Sequence, residues 1–164
     1  SRLLAEHAGD YAPFNLLLVD PRSCAYLGNH PITEQAVVEP GLYGLSNGGF
    51  DAPWPKLRRV KGALRDWLDG SADDPAPLWQ VLRESRPFPP DSLPDTGVGL
   101  ELEHRLSSVF IDSRDYGTRS STVIAIDHDG AGWIAERRFG PDGVPIGQTC
   151  LSIPDAASVS EGAR

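Results

Sequence analysis

Ser46-Asn47-Gly48-Gly49 sets a hydroxyl beside a carboxamide in a stretch that has to turn. Asn and Gly accept turn dihedrals that other residues resist. Fixed at a strand end, the pair offers a hydroxyl, an amide donor and an amide acceptor. Such groups hold an oxyanion or the polar head of a ligand. Asn47 is the first candidate, with Ser46 beside it; the competing reading is a turn asparagine. Arg119 is the second. It follows Tyr116-Gly117-Thr118 and precedes a β-branched run. There it could grip a carboxylate with both arms of its guanidinium, or clamp its own loop through Asp112 or Asp115. Asn15 interrupts an apolar run, so it is either a structural hydrogen-bonder or a pocket residue. Arg58 and Arg59, with Lys56, Lys61 and Arg65, crowd the first turns of a helical pattern. Cations there oppose the helix dipole. They form an anion site near the Asn47 turn, or a solvated face paired with nearby acids.

Other chemistry finds less support. His7, His30, His104 and His128 form no pair at helical spacing, and Asp127-His128-Asp129 reads as a hairpin turn, so no metal site is expected. Cys24 and Cys150 fit no metal spacing and read as buried small hydrophobes. An N-terminal Ser nucleophile must begin a strand and use its own amine as base. Ser1 leads into a helical stretch over residues 2–8, so no catalytic residue is assigned.

The elements that would position these residues follow from the pattern. Phe14 to Val19 is a continuous apolar run, the mark of a strand buried on both faces. A turn and a partner strand at Cys24 to Leu27 follow, then short strands at residues 35–38 and Gly41 to Leu45. Pro55 to Leu68 is the clearest helix, with Leu57, Val60, Leu64, Trp67 and Leu68 on one stripe. A shorter helix spans residues 74–84, with Leu78, Val81 and Leu82 as its packing face. A proline-rich loop covers residues 85–96, and residues 98–106 make a helical turn. Strands are expected at Ser107–Ile111, Ser120–Asp127, Trp133–Phe139 and Val144–Ile153, with a frayed tail beyond Pro154. The class is α+β, with antiparallel sheets and helices in one domain over residues 1–164.

Composition narrows the partners. A net charge of −8 argues against general nucleic-acid binding, which needs a basic footprint. No apolar run approaches the roughly 20 residues of a membrane span.

The run GLYGLSNGGFDAPWPKL resembles the signature of the transport and Golgi organization protein 2 family, also called the NRDE family. YAPFNLLLVD (residues 11–20), SSVFI (107–111), YGTRSSTVI (116–124) and ERRF (136–139) agree with it. The resemblance implies a four-layer αββα sandwich similar to N-terminal-nucleophile hydrolases. It also implies that this chain is the C-terminal portion of a longer protein, without much of the N-terminal part. A sandwich lacking its first strands exposes sheet edges, so a partner segment or a second copy is expected to cover them. The function implied is a cytoplasmic carrier for haem or a similar anionic small molecule, with haem as cargo. Axial-ligand candidates are His30, His104 and Cys24. The alternative is an N-terminal-nucleophile amidohydrolase whose cysteine lies in the missing part. In such hydrolases a similar asparagine helps hold the oxyanion, which would be the part of Asn47. Asn47, Ser46, Arg119, Asn15, Arg58 and Arg59 are then the ligand-binding candidates.

Overall fold

The computed structural model describes residues 2–20, 22–46, 48–70, 72 and 74–155. Ser1, Asn47 and the tail over residues 156–164 lie outside them, so the expectations placed on Ser1, Asn47 and the tail do too. The described chain is α+β, with two three-stranded antiparallel sheets and a few helices. It gathers into two compact units, Ser1–Pro53 and Trp54–Arg164.

In the first unit, helix α1 (Arg2–Glu6) is followed by a 3-10 turn at Ala8–Asp10. Strands β1 (Asn15–Asp20), β2 (Ser23–Gly28) and β3 (Glu34–Val37) then form a meander in that order. Its register pairs Leu17 with Tyr26 and Tyr26 with Ala36. The expectation of a first strand buried on both faces is overturned. Leu17, Leu18 and Val19 are 48%, 40% and 68% exposed. β1 is an edge strand, and burial falls on the middle strand, at Tyr26 and Leu27. The segment from Gly41 to Ser46 is a second correction: it joins no ladder. Instead Gly44 N–H donates to the Asp51 carboxylate at 2.8 Å, and Asp51 N–H to Gly44 carbonyl at 3.0 Å. These two bonds fold the segment back on itself and occupy both backbone groups of Gly44.

In the second unit, α2 (Pro55–Asp69) starts with proline at its first position, where a missing N–H costs nothing. It stops at Gly70, whose N–H bonds Trp67 carbonyl. α3 (Ala76–Val81) buries Leu78, Trp79 and Val81. α4 (Leu100–Arg105) buries Glu103, whose carboxylate accepts from Thr96 N–H at 2.8 Å and from the Thr96 hydroxyl. Strands β4 (Ser120–Ile126), β5 (Gly132–Phe139) and β6 (Pro145–Ile153) make the second meander. Leu78, Trp79 and Val123 form the core, with Leu64, Trp67, Leu82, Trp133 and Ala135 packed against them. So only part of the α2 stripe reaches the core; Leu68 is 55% exposed.

Ser107–Ile111 is not a strand, which corrects the expectation. The segment is pinned by side chains and loops instead. Ser107 Oγ accepts from Phe88 N–H at 2.9 Å and donates to His104 carbonyl at 2.7 Å. Phe110 N–H reaches Glu84 carbonyl at 2.9 Å. Phe110 is fully buried and meets Phe139 edge-on, with centroids 4.8 Å apart.

Candidate functional site

Two of the sequence candidates meet in the first unit. Asn15 Nδ2 donates to Ser46 carbonyl at 3.2 Å, and Tyr26 Oη donates to Asn15 Oδ1 at 2.8 Å. Asn15 ties the strand β1 to the signature turn, so its geometry is that of a structural hydrogen-bonder. Gly28 makes this possible. A Cβ there would strike the Tyr26 hydroxyl and lie 3.0 Å from Asn15 Oδ1. Burial raises the Tyr26 phenol above its ordinary value, and Glu34 adds to the rise.

Against this frame lies a groove of about 620 Å³. Leu17, Val19, Val37 and Leu45 supply apolar wall, and Tyr43 and Phe50 supply rings. Phe50 is sandwiched between Tyr26 (4.8 Å) and Tyr43 (5.3 Å). Cys24 is half-buried in the wall, and Arg22 stands among the lining residues with Asp20 and Glu39. Asp20 takes N–H bonds from Arg22 (2.8 Å) and Ser23 (2.9 Å) and the Ser23 hydroxyl at 2.9 Å. Those donors, the Arg22 N–H first, hold its carboxyl below the ordinary aspartate value.

The remaining candidates belong to the second unit. Arg59 forms a two-armed pair with Glu84, Nε to Oε2 at 2.9 Å and Nη2 to Oε1, and that carboxylate raises its pKa further. Arg58 is exposed on the same helix. The basic face is thus partly paired with acid, the second of the two readings open for it. Lys56 is drawn inward: its Nζ donates to Leu106 carbonyl at 3.2 Å. Burial lowers its pKa, with Glu103 pulling the other way. Arg119 is exposed, and its carbonyl accepts from Phe139 N–H at 2.8 Å. Asp127 spends its carboxylate on the N–H groups of Asp129 and Ala131, closing the β4–β5 turn. Among the described residues, no group of three or more His, Cys, Asp or Glu side chains gathers where a metal could sit. Nor is any described helix long and apolar enough to cross a membrane.

The family model described as Transport and Golgi organisation 2 matches residues 1–141. The chain belongs to the Transport and Golgi organisation 2 family. A Transport and Golgi organization protein 2 homolog from Bos taurus is 31% identical over 144 residues, 77% of this chain and 51% of that protein. Its Homo sapiens counterpart is 33% identical over 140 residues, again 77% of this chain and 51% of that protein. The chain spans about half the length of the curated relatives it matches.

The family signature has a structural counterpart in the first unit. Gly41, Tyr43, Gly44, Leu45 and Phe50 of that run all line the groove. Sequence reasoning missed other contributors. Asn29 caps the frame: Oδ1 accepts from Phe14 N–H at 2.7 Å, and Nδ2 donates to Ala8 carbonyl at 2.9 Å. Its position in a Gly-Asn-His-Pro turn is the only local signal. Cys24 lines the groove half-buried, and Cys150 is exposed on β6, so the expectation of two buried cysteines is corrected.

Proposed function

We propose that the chain is the ligand-holding part of a small-molecule carrier that takes haem, or another flat amphipathic anion, in the groove of its first unit. The observation that carries this reading is the groove itself: apolar strand residues and the signature segment enclose about 620 Å³. That size and lining suit a small-molecule site. Exposed Val19 and Val37, 68% and 73% accessible, are apolar area that a bound macrocycle would cover. Tyr43, 40% exposed, offers an aromatic face for stacking. Arg22 offers a cation for a carboxylate. Of His30, His104 and Cys24, only Cys24 is among the lining residues, so its thiolate is the ligand offered to iron.

A haem titration followed by absorbance tests the proposal. The expected result is saturable one-to-one binding, weakened in Tyr43→Ala and with a displaced Soret band in Cys24→Ser. No saturable band in the unaltered chain would overturn it. A band unaffected by both substitutions would remove the groove as its location.

A further inference from the structure

The second unit holds another cavity, of about 670 Å³, between α3 and one end of the β4–β5–β6 sheet. Its floor follows from register. Ser121, Arg137 and Gln148 lie opposite one another across the three strands. Strand alternation puts them on the same face as Trp133 and Ala135, which pack on the core. Trp79 and Arg83 form the facing wall, and Phe139 closes the end.

Two guanidinium groups are held ready there. Arg137 lies over the Trp79 ring, 4.4 Å from its centroid. Arg83 lies 3.9 Å from the Phe110 centroid and 4.8 Å from that of Phe139, and donates to Gly143 carbonyl at 2.6 Å. Stacking fixes each cation without using all of its five donors. Arg138 also borders the cavity, but its Nη1 bonds Thr149 Oγ1 at 2.8 Å and Glu136 at 3.3 Å. No carboxylate is among the lining residues, in a chain of net charge −8. A positive recess inside an acidic protein concentrates small anions while the overall charge repels large acidic partners.

We propose that this cavity binds a small organic anion with a flat apolar body. A carboxylate or phosphate head would pair with Arg137 and Arg83, and the body would lie against Trp79 and Phe139. The site is distinct from the first-unit groove, because no residue lines both.

Calorimetric titration of the full chain with 1-naphthyl phosphate, 2-naphthoate and neutral 2-naphthol tests it. One saturable site for at least one of the two anions is expected, with affinity falling as salt rises. Naphthol should bind at least tenfold more weakly. Whether phosphate or carboxylate binds tighter identifies the head group preferred. Arg137→Gln should cost tenfold or more, roughly the worth of one charged hydrogen bond. Arg114→Gln, on an exposed loop outside the cavity, should leave binding unchanged. If Arg137→Gln fails to fold, Arg137→Lys takes its place and should weaken binding by losing the planar fork. Absence of saturable anion binding, equal binding of naphthol, or full affinity in the Arg137 variant would each overturn the proposal.

Discussion

Tyr26 Oη donates to Asn15 Oδ1 at 2.8 Å, along a diagonal of the β1–β2 ladder. The two partners are unequal. Tyr26 is 2% exposed, whereas Asn15 lies at the outer strand and also reaches Ser46 carbonyl. Removing the tyrosine hydroxyl leaves Asn15 able to turn to water. Removing the asparagine takes the acceptor from the hydroxyl of a tyrosine that is itself buried. Tyr26→Phe should therefore cost about 0.5–1.5 kcal/mol and Asn15→Leu about 1–3 kcal/mol. Urea denaturation of both single variants and the double variant measures the difference. Additive losses would show that the bond carries no coupling.

The β1–β2 turn should carry an acid-sensitive share of stability. Asp20 has a lowered pKa in the folded chain, through the Arg22 N–H first and then the Ser23 hydroxyl. Its contribution is fully present above the ordinary aspartate value. It is lost as pH falls through that value to the folded one, because the unfolded chain binds the proton first. Asp20→Asn should lower the melting temperature at neutral pH, and the gap from the parent should close in strong acid. A gap that is constant across pH would rule out the ionised carboxylate as its source.

β4, β5 and the α2 helix were readable because their signals are local: β-branched Thr122, Val123 and Ile124, a turn at Asp127–Gly130, and Pro55 at a helix start. Leu17 to Val19 mislead because an apolar run states that a strand wants cover, not that cover exists. Ser107–Ile111 misleads because Phe110 N–H pairs with Glu84 carbonyl, a long-range bond that no window of sequence contains. Of the site, the sequence marks Asn15 and Ser46 only as two separate polar residues, not as a pair. The fate of Arg59 depends on Glu84, 25 positions away. Trp79 reaches the core although the stripe drawn through Leu78, Val81 and Leu82 passes beside it.

Trp79 and Trp67 should respond differently to truncation. Trp79 is 9% exposed in the core cluster and carries Arg137 on its ring. Trp67 packs against the same cluster from outside, with Nε1 donating to Asp74 carbonyl at 2.8 Å. Trp79→Ala should cost about 3–5 kcal/mol, the range for a large aromatic removed from a core. Trp67→Ala should cost less, and Trp67→Phe about 1 kcal/mol for its lost hydrogen bond. Chemical denaturation ranks the three. A larger loss at Trp67 than at Trp79 would move the centre of the core to the α2 side.

Gly143 should tolerate no side chain, for two separable reasons. Its φ of +65° strains any L-residue, and a Cβ would lie 2.8 Å from Phe110 Cε1, 2.9 Å from Arg83 Nη1 and 3.2 Å from Asp112 Cβ. Phe110 is 0% exposed and cannot swing into open space, while Arg83 is held by its bond to Gly143 carbonyl. Gly130 provides the comparison: its φ is +83°, yet nothing lies within 4 Å of the point a Cβ would occupy. Gly130→Ala should cost about 1–2 kcal/mol, the backbone strain alone. Gly143→Ala should cost that plus about 1–3 kcal/mol for overpacking against the Phe110–Phe139 pair. Melting curves of the two variants give the difference directly. Equal losses would mean that the Phe110 side of the core yields to an added methyl group, and that Arg83 is not pinned where it lies.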